Sequence, residues 1–270
     1  MTDLALLYIG AHPDDEGSCS GSLAQYAAEG ARAYVACATR GDGVDAQIKD
    51  PTVATRETLG QVRSQELICA CSKLGLQPPF FLGYQDGEVD KVDTETAARA
   101  VAKLIRELKA QVVITHDPGG GYGHPDHIAV CNFVTRAFEL ASDTTQDFGT
   151  PMFAPSKLYY SAFPRSFMEK VPAFRERRAD IRGQQLGFVG VADEEITTAV
   201  DIRPQLRAKL DALSCHRTQF EMDENGQPKT FAASVPEDVR LELFGNERFV
   251  LAKSVIVRNG MEGDLLAGLR

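Results

Sequence analysis

The hydrophobic pattern opens on an unbroken apolar run, Leu4-Ala5-Leu6-Leu7-Tyr8-Ile9-Gly10, that stops at Ala11-His12-Pro13-Asp14-Asp15-Glu16. An apolar run without polar alternation predicts a strand buried on both faces, as in parallel sheets. Small residues over 17–28 predict the helix that follows, ended by Gly30, and residues 31–38 predict a second strand. This β-α-β opening implies a right-handed crossover between parallel strands. The alternation continues with a helix over 55–74 stopped by Gly75, a short strand at 79–82, an amphipathic helix over 94–109 with Thr94 as its N-cap, and a strand at 111–115. His124-Pro125-Asp126-His127 opens a helix to about residue 140, a polar loop covers 142–155, and 157–163 predicts a further strand. Beyond it the pattern weakens to a mixed-charge helix over 167–179, a strand at 197–202, a helix over 204–215, a polar loop at 223–230 and a last strand at 248–253.

Regular strand-helix alternation predicts an α/β fold with a Rossmann-like, mostly parallel sheet flanked by helices and a C-terminal elaboration. A length of 270 residues suits one domain. Its Rossmann-like core is expected over about 1–165, with a C-terminal segment over about 166–270 walling the cleft. Hydrophobic and charged fractions of 43% and 25% are those of an ordinary globular protein, and no apolar run is long enough for stable membrane insertion. The N-terminal run leads straight into carboxylates and lacks the features of a secretory signal, which implies a cytoplasmic protein. A net charge of -9 argues against nucleic acid as a partner. The sequence leaves the subunit count open, a homo-oligomer included. Six scattered cysteines show no disulfide frame or zinc ribbon and are expected to be reduced, mostly buried thiols.

In open α/β sheets, ligands bind beyond the carboxyl ends of the strands. Two chemically loaded clusters occupy such positions: His12, Asp14, Asp15 and Glu16 after the first strand, and His124, Asp126 and His127 after a later one. Either alone fits an ordinary helix N-terminus, where proline and acidic residues are common. Their repetition in one topological position argues for a metal site, because capping needs no histidine and zinc is held by histidine and carboxylate ligands with one position left for water. The glycine loop 119–123 lets backbone approach a ligand closely.

Taken together, Ala11-His12-Pro13-Asp14-Asp15-Glu16 and Tyr122-Gly123-His124-Pro125-Asp126-His127 resemble the motifs of the zinc-dependent N-acetylglucosaminyl deacetylases. These are the LmbE-like or PIG-L family, which includes the mycothiol- and bacillithiol-pathway deacetylases. The likeness extends to Arg63-Ser64-Gln65-Glu66-Leu67, Asp86-Gly87, His216-Arg217-Thr218-Gln219 and Glu247-Arg248-Phe249. The resemblance implies that His12, Asp15 and His127 ligate one zinc ion, with iron(II) accepting the same set. It implies Asp14 as general base, His124 as the group that assists the oxyanion or protonates the departing amine, Asp126 as support for an imidazole, and Tyr122 as a mobile group closing over substrate. Arg63 and Asp86 match positions that hold the sugar or its aglycone. The implied reaction is hydrolysis of an N-acetyl group from a small amino-sugar conjugate, releasing acetate and a free amine. The alternatives are amide cleavage in a thiol S-conjugate or other N-acyl compound, and a non-catalytic sugar- or metal-binding protein.

Two rivals fail on geometry. Gly17-Ser18-Cys19-Ser20-Gly21 has the spacing of a nucleophile elbow, but Cys19 falls inside a helix and not on the turn directly after a strand. A dinucleotide-binding module would need three spaced glycines in the first turn, where this chain has carboxylates that repel a pyrophosphate.

Overall fold

The computed structural model describes residues 3–171, 175–176, 178–225, 228–230, 235–257 and 260–270. At its centre lies β1 (Ala5–Gly10), every residue of which is buried. Successive side chains point to opposite faces. Ala5, Leu7 and Ile9 enter one core with Val101, Ile105, Val134 and Phe138, while Leu6 and Tyr8 enter another with Leu23, Leu67 and Cys71. Cover on both faces is why the run lacks polar alternation.

The remaining elements follow as α1 (Ser20–Ala28), β2 (Arg32–Cys37), α2 (Leu59–Lys73), β3 (Phe80–Phe81), α3 (Thr94–Leu108), β4 (Val112–Thr115), a kinked turn α4 (Gly120–Gly123), α5 (Pro125–Ser142) and β5 (Lys157–Ala162). After them come α6 (Arg165–Lys170), β6 (Arg178–Ile181), β7 (Gln184–Gly187), β8 (Thr198–Asp201), α7 (Leu206–Leu213), α8 (Glu237–Phe244) and β9 (Asn246–Ser254). The main sheet has the order β3-β2-β1-β4-β5-β9-β8. The strands from β1 to β5 pair in parallel, β9 runs antiparallel to β5, and β8 antiparallel to β9. The chain winds outward from β1 to β3 and then returns to lay β4 on the other side of β1. That reversal opens a crevice at the carboxyl ends of β1 and β4, the place where such sheets bind ligands.

Several details differ from expectation. The N-cap of α3 is Asp93, whose carboxylate accepts the Thr96 N–H at 2.9 Å, and Thr94 is already helical. The helix expected over 167–179 stops at Lys170, and Ala179 lies in β6; residues 172–174 and 177 of that stretch lie outside the described residues. β6 and β7 form a hairpin whose two-residue turn, Arg182-Gly183, has φ of 53° and 76°. A two-residue loop with positive φ at both positions matches the right-handed twist of the strands it joins. The C-terminal segment supplies β8 and β9 to the main sheet, so it helps to build the core. The cysteine expectation is corrected in part: Cys69 on α2 and Cys215 after α7 form a disulfide, while Cys19, Cys37, Cys71 and Cys131 are free and buried. Among the described residues no helix is long and apolar enough to cross a membrane.

Candidate active site

The end of β1 delivers the first cluster directly into the crevice. Asp15 turns back on its own loop, its Oδ2 accepting the Ala11 and His12 N–H groups at 3.0 and 2.8 Å. The second cluster arrives on the first turn of α5. His124 is that helix's N-cap, its Nδ1 accepting the Asp126 N–H at 3.2 Å. A neutral imidazole whose Nδ1 accepts carries its proton on Nε2.

The two clusters meet. His12 Nδ1 lies 3.2 Å from His127 Nε2 and 3.6 Å from Asp15 Oδ2, and His127 Nε2 is 3.4 Å from Asp15 Oδ1. Donors around a tetrahedral zinc, with bonds of ~2.0–2.1 Å, stand about 3.3–3.4 Å apart. Two ring nitrogens and a carboxylate converging at that spacing fit a divalent cation. Behind them, His12 Nε2 faces Asp86 Oδ1 at 2.9 Å and Asp126 Oδ2 at 3.5 Å, the carboxylate backing typical of a ligating histidine. Donors also approach within 4.8 Å in the sets His12/His124/His127, Asp15/His116/His127 and His12/Asp86/Asp126. The extra members of those sets also hold other groups, His116 Nε2 accepting the Ala11 N–H at 3.1 Å. His124 Nδ1 caps α5, Asp86 Oδ2 accepts the Gly43 N–H at 2.7 Å, and Asp126 accepts the Gly87 and Val89 N–H groups at 2.8 and 3.2 Å.

Asp14 sits beside the three donors with φ 107°, in a region non-glycine residues rarely adopt. Arg63, on α2, holds that loop from one side: it donates to Gly41 O at 2.8 Å, to Pro13 O, and to Asp14 Oδ1 at 3.2 Å. A side chain at Gly41 (φ 68°) would run into the guanidinium, which explains the glycine of the Arg40-Gly41-Asp42 turn. Tyr122 stands over the pair of histidines from α5, its ring 5.7 Å from His124, 5.5 Å from His127 and 4.9 Å from Phe188, just past β7.

Electrostatics separates the two neighbouring aspartates. Burial pushes the Asp14 carboxyl up to about 6, against the pull of Arg63 and with further push from Asp15. Burial would raise Asp15 as well, but the histidines 127 and 116 outweigh it and hold Asp15 well below the usual carboxylate range. Environments that drive adjacent groups apart in this way are how acid-base roles are divided. Burial, with His12 as neighbour, pushes His124 down to about 4.

The structure thus gathers His12, Asp14, Asp15, Tyr122, His124, Asp126 and His127 at one crevice, with Arg63 and Asp86 engaged in its walls. Sequence reasoning passed over His116 and Asp117. His116 stacks on His127 at 4.0 Å, and its Nε2 shares the Ala11 N–H with Asp15. Asp117 accepts the Gly119 and Gly121 N–H groups at 2.8 and 2.9 Å and so shapes the glycine loop. The available signal was position: both directly follow β4, the strand beside β1. Cys19 is fully buried, with its thiol pushed well up by burial, which removes it as a nucleophile.

Comparison with known proteins places this geometry. Residues 7–138 match the family model described as PIG-L: GlcNAc-PI de-N-acetylase. A 1D-myo-inositol 2-acetamido-2-deoxy-alpha-D-glucopyranoside deacetylase of Thermomonospora curvata is 36% identical over 296 residues, covering 99% of this chain and 98% of its own. In fold, the chain is similar to the N,N'-diacetylchitobiose deacetylase of Pyrococcus horikoshii, with TM-score 0.64, 19% identity, and 92% and 83% of the two chains covered. It is also similar to the 4-carboxy-2-hydroxymuconate hydratase of Pseudomonas putida KT2440, with TM-score 0.62, 14% identity, and 95% and 99% covered. One architecture therefore carries different reactions, and sequence identity decides between them. The chain belongs to the PIG-L, GlcNAc-PI de-N-acetylase family.

Proposed function

We propose that this protein is a metal-dependent hydrolase that removes the acetyl group from an N-acetylglucosaminyl-inositol conjugate, giving acetate and a free amine. The observation that carries the reading is the convergence of His12 Nδ1, Asp15 and His127 Nε2 at 3.2–3.6 Å beside a carboxylate poised near pH 6. The substrate class follows the named activity of the 36%-identical relative, which aligns over nearly the whole of both chains.

His12, Asp15 and His127 would hold the ion, and two nitrogens with one oxygen suit zinc, with iron(II) accepting the same set. A divalent ion bound there supplies Lewis-acid polarisation of the acetamide carbonyl and acidifies a water. Asp14 takes the proton of the attacking water, which its displaced pKa equips it to do near neutral pH. His124, with its pKa pushed down to about 4, stays neutral at that pH and offers Nε2–H to the oxyanion as a hydrogen-bond donor. The proton for the departing amine then comes back from Asp14. Asp126, fully buried, fixes both the His12 ring and the 87–89 loop. Tyr122 closes the mouth of the site. Asp86, committed to the Gly43 N–H and the His12 ring, backs that histidine rather than the sugar, and the commitments of Arg63 to Gly41, Pro13 and Asp14 assign it to holding the base.

The test joins elemental analysis of the purified protein with amine release from the glucosaminyl-inositol substrate and from free N-acetylglucosamine. We expect stoichiometric metal, preference for the conjugate, and in Asp14→Asn retained metal with turnover reduced about 10²–10⁴-fold. Stoichiometric metal with no amine release from either compound refutes the substrate assignment. Full turnover in Asp14→Asn refutes the base.

A further inference from the structure

The segment after α7 makes three connections to distant parts of the chain. Cys215 is disulfide-bonded to Cys69 on α2. The N–H and Oγ1 of Thr218 donate to the Glu66 carboxylate, also on α2, at 2.8 and 2.6 Å. Between these anchors His216 is fully buried, and its Nε2 lies 2.6 Å from Glu16 Oε1. The imidazole is therefore fixed by its flanks and aimed at a residue two positions beyond Asp14.

Glu16 gives that aim its consequence. Its second oxygen, Oε2, accepts the Asp14 N–H at 2.9 Å. The Glu16 carboxylate is thus held by His216 at one oxygen and holds the Asp14 backbone with the other, and both Glu16 and His216 are buried. Asp14 has φ 107°, and a non-glycine residue stays in such a conformation only where surrounding contacts over-determine it. Arg63 supplies such contacts from one side, through Pro13 O and Asp14 Oδ1. Glu16, backed by His216, supplies the contact to the amide.

We propose that His216 is a positioning residue: acting through Glu16, it keeps the Asp14 backbone in the left-handed conformation that points the Asp14 carboxylate into the crevice. This rests on the reading of Asp14 as the base. The connection runs from α2 through the disulfide and Glu66 to the 215–218 segment, and from there through a single side chain to the loop that follows β1.

The test compares His216→Leu, His216→Gln and Glu16→Gln, and repeats His216→Leu in the Asp14→Asn background. Glutamine puts its amide nitrogen near the place of imidazole Nε2 and keeps a donor to Glu16, whereas leucine fills the space without one. Losing such a supporting contact lowers activity about 10–100-fold, so we expect His216→Leu to lose that much in kcat with KM and metal content within about twofold of the parent. His216→Gln should recover most of the loss, and His216→Leu should cost nothing further once Asp14 is asparagine. Glu16→Gln, which keeps the volume but cannot serve both partners as acceptor, should lower kcat similarly even if His216→Leu fails to fold. Parent-like kcat in Glu16→Gln overturns the proposal, and so do equal losses in the leucine and glutamine variants that track a fall in Tm. If Asp14→Asn keeps parent turnover, the base reading itself has failed. If Asp14→Asn is inactive while Glu16→Gln and His216→Leu are not, only the positioning role falls.

Discussion

Replacing Arg63 with methionine separates two roles for this side chain, holder of the base and holder of the sugar. Its guanidinium lies 3.2 Å from Asp14 Oδ1 and pulls down a carboxyl that burial has pushed up to about 6. At that separation two unit charges interact by about 5 kcal/mol at an effective dielectric of ~20. Asp14 is 27% exposed, so water screens most of this; a surviving quarter, ~1.3 kcal/mol, corresponds to about one pH unit. The sign is fixed. Removing the cation raises the Asp14 pKa, a base works only when deprotonated, and so the acid limb of kcat/KM moves to higher pH by about one unit. A bound cation lowers Asp14 in parent and variant alike, and the comparison between them survives that offset. The assay is amine release from the glucosaminyl-inositol substrate across the acid range, with kcat and KM resolved at each pH. An acid limb that stays in place while KM rises and kcat holds would refute the reasoning and make Arg63 a substrate contact.

His124→Ala removes the neutral Nε2–H donor, so kcat should fall about 10²–10³-fold with metal content retained, as read by steady-state kinetics and elemental analysis. Cys215→Ser opens a covalent link between residues 146 apart, and chain-entropy arguments place the loss of stability at about 2–5 kcal/mol, measurable by denaturant titration without reductant. Chelation should lower Tm: stripping an ion present at ~1,000 times its Kd removes about 4 kcal/mol, on the order of 10 °C for a domain of this size. An unchanged Tm with metal demonstrably removed would mean that the His12, Asp15 and His127 cluster is satisfied without an ion.

What the sequence made legible was what periodicity and residue type encode locally. β1 is visible because burial on both faces leaves no polar alternation, and α3 because its apolar residues recur at helical spacing. The candidate ligand cluster is visible because histidines are scarce and two clusters share one position after a strand. Features that depend on which distant segments meet were not visible. The Cys69–Cys215 pairing spans 146 residues, and pairing cannot be deduced from sequence alone. His216 reads as an isolated histidine until the fold brings it to Glu16, 200 positions away. The β6-β7 hairpin was masked by charged residues that also suit a helix, although Arg182-Gly183 is a turn signal once both residues are seen at positive φ.

The two adjacent aspartates show why this chemistry needs the backbone as much as the side chains. In an extended segment Asp14 and Asp15 would point to opposite faces, and on a regular helix they would diverge around the axis. A left-handed residue at position 14, followed by the short helical turn Asp15–Ser18, instead turns Asp15 back onto the Ala11 and His12 amides and leaves Asp14 against Arg63. The same geometry sets their protonation. Asp15 is surrounded by backbone donors and histidines and is held well below the usual carboxylate range, as its proposed role as a ligand requires. Asp14 is lifted chiefly by burial, with Asp15 and Glu16 adding to the rise and Arg63 and His216 opposing it, into the range the proposed base requires. Burial alone would push His12 down, yet Asp126, Asp15 and Asp86 together hold its pKa well above the usual value, so the field at that ring calls for positive charge. A divalent ion held, as proposed, by His12, Asp15 and His127 would supply the positive charge that this field calls for.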